Sequence, residues 1–194
     1  MSERKSISIM LIALALTLFG SYHIYYHFAS INSDNLIKNY YVEKEEISNS
    51  VPKISTKDTS KESYLGIIYI PKINLKTGFY NIKSNKNNVN NSVTILKESI
   101  MPENDNSIIY LAAHSGIGKI AYFNDIDKLS NGDIINLSIN NSDYQYTITD
   151  IYEMIKTGEI MVDHNINEKT LVLTTCSKNK NMQLVIVAKM LPVI

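Results

Sequence analysis

A single cysteine, Cys176, stands in the whole chain, which excludes an intramolecular disulfide and the small stapled scaffolds that depend on one. Charge of one sign is missing as well: 19 lysines and arginines balance 19 aspartates and glutamates, for a formal net charge of +0. No long-range field therefore draws the protein to nucleic acid or to an anionic surface, and no nucleic-acid partner is expected. Arg4 is the only arginine. Internal repeats are absent, and the lack of tryptophan carries no functional information. What remains is a chain of 194 residues, 44% hydrophobic, with room for one packed domain and an appendage. In such a chain an odd thiol is either an inert apolar group or a reactive one.

The first residues combine a basic flank, Ser2-Glu3-Arg4-Lys5, with an apolar run over 7–19 and an aromatic belt of Tyr22, Tyr25, Tyr26 and Phe28. A helix over 6–28 would extend about 34 Å, enough to cross a bilayer core of about 30 Å. A cleaved signal peptide fits less well, because cleavage after Ala29 or Ser30 places His27 or Phe28 where a small residue is needed. The sequence thus reads as a cytoplasmic 1–5, a single-pass transmembrane anchor over 6–28, and an extracellular remainder, with Arg4 and Lys5 held inside. His23 and His27 lie at i, i+4 spacing but read as belt residues, and neither a metal nor another cofactor is expected. Residues 29–63 are polar and charged, a stalk with a helical stretch near 35–46 and no expected structure over 48–63.

Beyond Tyr64 short β-type runs alternate with turn residues, at 65–70, 75–80, 107–113, 133–139, 144–155, 170–176 and 183–190. Tyr144, Tyr146 and Ile148 alternate with Gln145, Thr147 and Thr149, so one face of that strand is wet. Asn140-Asn141 suits a tight hairpin turn, since asparagine tolerates positive φ. One helix is predicted over 121–129, stopped by Asn131-Gly132. The expected domain, 64–194, is mainly β: a mostly antiparallel barrel or sandwich with short helices.

Cys176 ends the run Leu171-Val172-Leu173-Thr174-Thr175-Cys176 and is followed by the polar loop Ser177-Lys178-Asn179-Lys180-Asn181. A packing cysteine belongs in mid-strand. A thiol at a strand end, with lysines nearby, sits where a reactive thiolate is favoured. Such a nucleophile needs a proton acceptor and donor. His114, between the apolar run at 107–113 and Ser115-Gly116, is the candidate, whereas His164 lies in a polar loop and reads as solvated.

The pairing of Leu-Ala-Ala-His-Ser-Gly at 111–116 with Leu-Thr-Thr-Cys at 173–176 and a following Leu-Val-Ile-Val-Ala strand resembles the sortase family. Stretches around Ile70-Pro71-Lys72-Ile73, Ala121-Tyr122-Phe123 and Gly132-Asp133 resemble it too, so the similarity covers about 64–194. The family's thiol motif is Thr-Leu-x-Thr-Cys, and Val172 replaces its leading threonine here. The resemblance implies a closed eight-stranded β barrel on the outer face of a Gram-positive cell membrane. It implies cleavage of a C-terminal sorting signal, LPxTG-like, between Thr and Gly. The Thr carbonyl would pass through a thioester on Cys176 to an amine of a cell-wall precursor or a pilin lysine, with His114 moving the proton. Thr175 matches the family threonine beside the nucleophile, and Ser115, Lys178 and Lys180 are the other expected substrate contacts. The family's third residue, an arginine, falls on Gln183, which carries no charge. Gln183, Lys178 or Lys180 could stand in for it, or the chain is a catalytically weak or inactive peptide-binding relative. Absence of a second membrane segment and of an Asp-Pro-aromatic lid leans the expectation toward surface-protein anchoring over pilus assembly.

Overall fold

The computed structural model describes residues 2–49, 63–118, 120–140 and 142–192. Residues 50–62, most of the stretch 48–63 for which no structure was expected, lie outside them, as do the side chains of His23 and His27. Two units are distinguished, Met1–Leu36 and Ile37–Ile194.

The first unit consists of helix α1, Ser2–Asn49, up to Leu36. Helix therefore continues through the expected boundary between anchor and stalk at 28–29, and well beyond the short stretch foreseen near 35–46. Among the described residues no helix is long and apolar enough to cross a membrane. Ser8 and Thr17 interrupt the apolar run over 7–19, and Gly20, Ser21, Tyr22 and His23 follow it.

The second unit holds an eight-stranded sheet and the last part of α1. Its strands are β1 (Gly66–Ile70), β2 (Leu75–Phe79), β3 (Thr94–Ile95), β4 (Ile108–Ala112), β5 (Ile134–Ile139), β6 (Ser142–Ile155), β7 (Thr170–Cys176) and β8 (Met182–Met190). They are ordered β2-β1-β5-β6-β8-β7-β4-β3, and all neighbours are antiparallel except β4 and β7. A parallel bridge between Phe79 and Val93 joins the two ends of the sheet, so the expected closed barrel is a nearly closed one, sealed at that seam by a single bridge. The seven predicted strands are present, and the two-residue β3 is additional. It carries too few residues to show alternation.

Alternation places the core. Phe79, Ile109, Leu111, Leu137, Tyr146, Leu171, Leu173 and Ile186 fill the barrel interior, all buried. On the opposite face of the same sheet, Ile108, Val172, Val185 and Val187 form a second apolar cluster. Ile160 and Val162, from the connection between β6 and β7, cover that cluster. Asn140 turns β5 into β6 with φ 48°, as foreseen, and Ile139 pairs with Ser142; Asn141 lies outside the described residues. Gly66 is required by close approach: a Cβ there would lie 2.5 Å from the Phe79 ring and 2.6 Å from the Ser138 carbonyl oxygen.

At one register point the strand β6 changes face. Between Ile148 and Asp150 its pairing with β8 slips, leaving Thr149 as the extra residue of a bulge. Before the bulge the even positions Tyr146 and Ile148 point into the interior. After it Ile151 packs on the interior, while Tyr152 and Met154 join the outer cluster.

The helix predicted over 121–129 is replaced by turns and one 3-10 turn, Ile126–Lys128. Phe123, Ile126 and Leu129, all buried, recur every third residue. A three-residue repeat matches the 3-10 period rather than the α period. The bonds from Lys128 N–H to the Asp125 carbonyl and from Leu129 N–H to the Ile126 carbonyl have the corresponding spacing.

The end of α1 packs within this unit. Tyr40 is buried, Lys44 Nζ lies 2.6 Å from an Asp143 carboxylate oxygen, and the Lys76 ammonium sits 4.6 Å from the Tyr41 ring centroid. Burial pushes the Asp143 carboxyl upward, but hydrogen bonds from Lys44 and Ser138 outweigh it and hold it below the usual carboxylate range. The compact unit thus starts at Ile37, ahead of the domain boundary expected at 64.

Candidate active site

The parallel pair β4 and β7 builds the site. Their last register pair is Ala112 with Thr174; His114 and Cys176 each lie two residues further on. Neighbouring strands run about 4.8 Å apart, so the two residues leave the sheet side by side. Parity puts both on the outer face, in line with Ile108, Tyr110 and Val172. Cys176 is exposed and His114 half-buried.

Cross-strand bonds beyond the ladder hold this junction. Ala113 N–H donates to the Thr174 carbonyl at 3.3 Å. The buried Thr175 hydroxyl donates to the Ala113 carbonyl at 2.7 Å, and Ser115 Oγ to the Cys176 carbonyl at 2.7 Å. Both hydroxyls, expected to contact substrate, are engaged in fixing the two strand ends. Gly116 takes φ 112°, where a side chain would be strained, and its N–H donates to Asn124 Oδ1 at 3.1 Å. Phe123 N–H donates to the His114 carbonyl at 3.0 Å. Asn90, a residue without sequence signal in an asparagine-rich loop, places Oδ1 3.1 Å from His114 Nε2. An Nε2–H donor there leaves Nδ1 as the free ring nitrogen for proton transfer.

Cys176 pairs directly with Gln183 across β7 and β8, as the length of the loop predicts. The Gln183 side chain is only 8% exposed, and its Nε2 donates to the Glu159 carbonyl at 3.2 Å. Lys178 is ion-paired with Asp127, and Lys180 lies exposed on the loop. The lysine at the thiol is one that sequence reasoning missed: Lys156 Nζ donates to Cys176 Sγ at 3.2 Å. His164 is not merely solvated. Its ring nitrogens lie 3.1 Å from Thr170 Oγ1 and 3.3 Å from the Asn106 carbonyl oxygen, which ties the β6–β7 connection to the sheet.

A cleft of about 420 Å³ opens beside the thiol, lined by Phe123, Thr175, Cys176, Ser177 and Leu184 among others. A larger one, about 690 Å³, lies against Ser138, Asp143, Tyr144 and Leu191 and contains none of the chemically active side chains. Reactivity, not size, selects the smaller. Among the described residues no grouping of His, Cys, Asp and Glu suits a metal ion.

Glu153 fastens the loop after the nucleophile. Its carboxylate accepts from Ser177 Oγ and, at 2.5 Å, from Asn179 Nδ2. These two bonds hold the Glu153 carboxyl below its ordinary value. The tether is therefore complete above the usual carboxylate range and is lost only as pH falls on through the lowered value of Glu153. Glu153→Gln is therefore expected to lower hydrogen-exchange protection of amides 177–182 at neutral pH, as acidification does in the wild type. Unchanged protection in the variant would remove the tether from the account.

A nearly closed barrel that places a thiol and an imidazole at the ends of two neighbouring parallel strands is a scaffold for cysteine nucleophilic chemistry. A sortase domain model matches residues 68–191, and the chain belongs to the sortase family, whose members are cysteine transpeptidases. It is 26% identical over 135 residues to Sortase A of Bacillus anthracis, a match covering 69% of this chain and 63% of that protein, less than two thirds of its length. Among solved structures, sortase C1 from Streptococcus agalactiae is 27% identical with a TM-score of 0.60, covering 73% of each chain. A lid mutant of sortase A from Corynebacterium diphtheriae gives a TM-score of 0.63 at 15% identity, covering 81% of this chain and 95% of that one, which speaks for the fold alone.

Proposed function

We propose that the protein is an active transpeptidase that cuts a C-terminal sorting signal of the LPxTG-like kind at its Thr-Gly bond and transfers the Thr carbonyl to an amine. The observation that carries this reading is the equal register of His114 and Cys176 beyond adjacent parallel strands. Cys176 Sγ attacks the Thr carbonyl carbon, and the tetrahedral intermediate collapses to a thioester as the glycine amine leaves with a proton from His114. An incoming amine then gives a proton to His114 and attacks the thioester, which releases the Cys176 thiolate. The acceptor is a cell-wall precursor or a protein lysine. Incubating the protein with Leu-Pro-x-Thr-Gly and Asn-Pro-x-Thr-like peptides plus a small amine tests the reading by mass spectrometry. Expected products are the released glycine fragment and the amine-capped peptide. Absence of both across the library would overturn it.

The same proposal includes a membrane tether through α1, with 1–5 in the cytoplasm and the barrel outside. Its support is the set of exposed apolar side chains at Ile7, Leu11, Leu14, Leu18 and Phe19, each more than half exposed on the helix. The run over 7–19 covers about 20 Å at 1.5 Å per residue, so the aromatic residues after it must reach the interface. Full-length protein is expected to stay with membranes through an alkaline carbonate wash, and quantitative release by that wash would remove the tether.

A further inference from the structure

We propose that Lys156 is a catalytic residue of this site, supplying the positive charge that Gln183 cannot, at the reacting sulfur and at the oxyanion formed beside it. This rests on the transpeptidase reading above and adds a residue to it.

The register of three strands shows how Lys156 arrives there. Cys176 of β7 pairs with Gln183 of β8, and Gln183 pairs with Met154 of β6. Lys156 lies two residues beyond Met154, and its own N–H donates to the Asn181 carbonyl at 2.9 Å, which holds it against the β7–β8 loop. Two residues along a strand return to the same face. The bulge at Thr149 makes that the outer face, where Met154 packs and where Cys176 and His114 stand. With the uninterrupted alternation of Tyr144, Tyr146 and Ile148, residue 156 would instead point inward. The flexible lysine stem then crosses over β8, and Nζ reaches 3.2 Å from Sγ.

Of the other candidates, two are engaged elsewhere and Lys180 lies exposed on the β7–β8 loop. Gln183 is buried and bonded to the Glu159 carbonyl, and Lys178 is paired with Asp127. Arg4 is the sole arginine of the chain, so lysine is the only strong cation available to the barrel. An ammonium touching the sulfur stabilises negative charge there before attack. As the Sγ–C bond forms and the carbonyl π pair moves onto oxygen, the charge shifts two bonds away, from Sγ to an oxygen on the same carbon, still within reach of three rotatable N–H donors on a flexible stem. Lys156 keeps its protons throughout. His114 supplies the proton that leaves with the glycine amine.

The test compares Lys156→Met and Lys156→Arg with wild-type protein, using two readouts. Thioester formation with a sorting-signal peptide is expected to fall about 10²–10³-fold in Lys156→Met and to stay within about tenfold of wild type in Lys156→Arg. Alkylation of Cys176 by iodoacetamide at neutral pH, which needs no substrate, is expected to slow about tenfold in Lys156→Met. The side chain is exposed, so thermal midpoints should agree to within a few degrees across the set. Acylation within about threefold of wild type in Lys156→Met overturns the proposal. So does a hydroxylamine-resistant peptide adduct on Lys156, because it shows an uncharged amine accepting the acyl group. If wild-type protein acylates with no peptide, the transpeptidase reading fails by itself. The alkylation contrast still decides whether Lys156 acts on the thiol, and equal rates in wild type and Lys156→Met overturn that.

Discussion

Cys176→Ala is expected to abolish both the thioester adduct and the amine-capped product while leaving the fold intact. The chain has no second thiol that could substitute, and Cys176 is exposed at the end of β7, so removing Sγ opens no cavity. Loss of the nucleophile alone costs on the order of 10⁶ in rate in a serine enzyme that also works by acyl transfer. The variant is expected to bind the sorting-signal peptide as wild type does, because the cleft walls and His114 are untouched. Mass spectrometry of the intact protein after incubation reads the adduct directly. A hydroxylamine-sensitive adduct in Cys176→Ala would sink the assignment of this thiol as nucleophile.

Phe123→Ala is expected to damage stability and activity together. The Phe123 ring is fully buried, belongs to the interior cluster and lines the cleft, while its N–H holds the carbonyl of His114. Truncating a buried phenylalanine costs about 3–5 kcal/mol, through lost transfer energy and the cavity left behind. Against a typical total stability of about 5–15 kcal/mol, that is a large fraction. Urea unfolding should show a lower midpoint with an unchanged slope, and Phe123→Leu should recover most of the loss. Because the residue sits directly under the His114 turn, the folded fraction of Phe123→Ala should also form the thioester more slowly than wild type. A midpoint shift with no loss of rate per folded molecule would confine Phe123 to the core.

How much of this was legible beforehand depended on whether a residue's role followed from its own strand or from a neighbour in space. Tyr146 and Ile148 announce an inward face by simple alternation, and both are buried. Asn140 was readable because few residues accept its backbone conformation. The strand-end positions of Cys176 and His114 and the Cys176–Gln183 adjacency were readable because hydrophobic patterning defines those strand ends. Lys156 was not, because its neighbourhood depends on β6 pairing with β8 and on a one-residue slip that reverses which side chains face out. Lys178 looked available in sequence only because Asp127, 51 positions away, leaves no trace in its local context. The stretch 121–129 was expected to be α-helical up to its Asn131-Gly132 stop, but its buried Phe123, Ile126 and Leu129 recur every third residue and suit a 3-10 turn.

The parallel pairing of β4 with β7 has a bearing on when chemistry can begin. Thr175 and Ala113 meet across a sequence separation of 62, and parallel strands need a long crossover before they can touch. Contacts of that range are costly in loop entropy and tend to form late. A nascent or partly unfolded chain therefore carries a thiol with neither its imidazole nor its ammonium alongside. Any reactivity of the thiol that depends on those neighbours is therefore expected to appear only in step with the completed barrel.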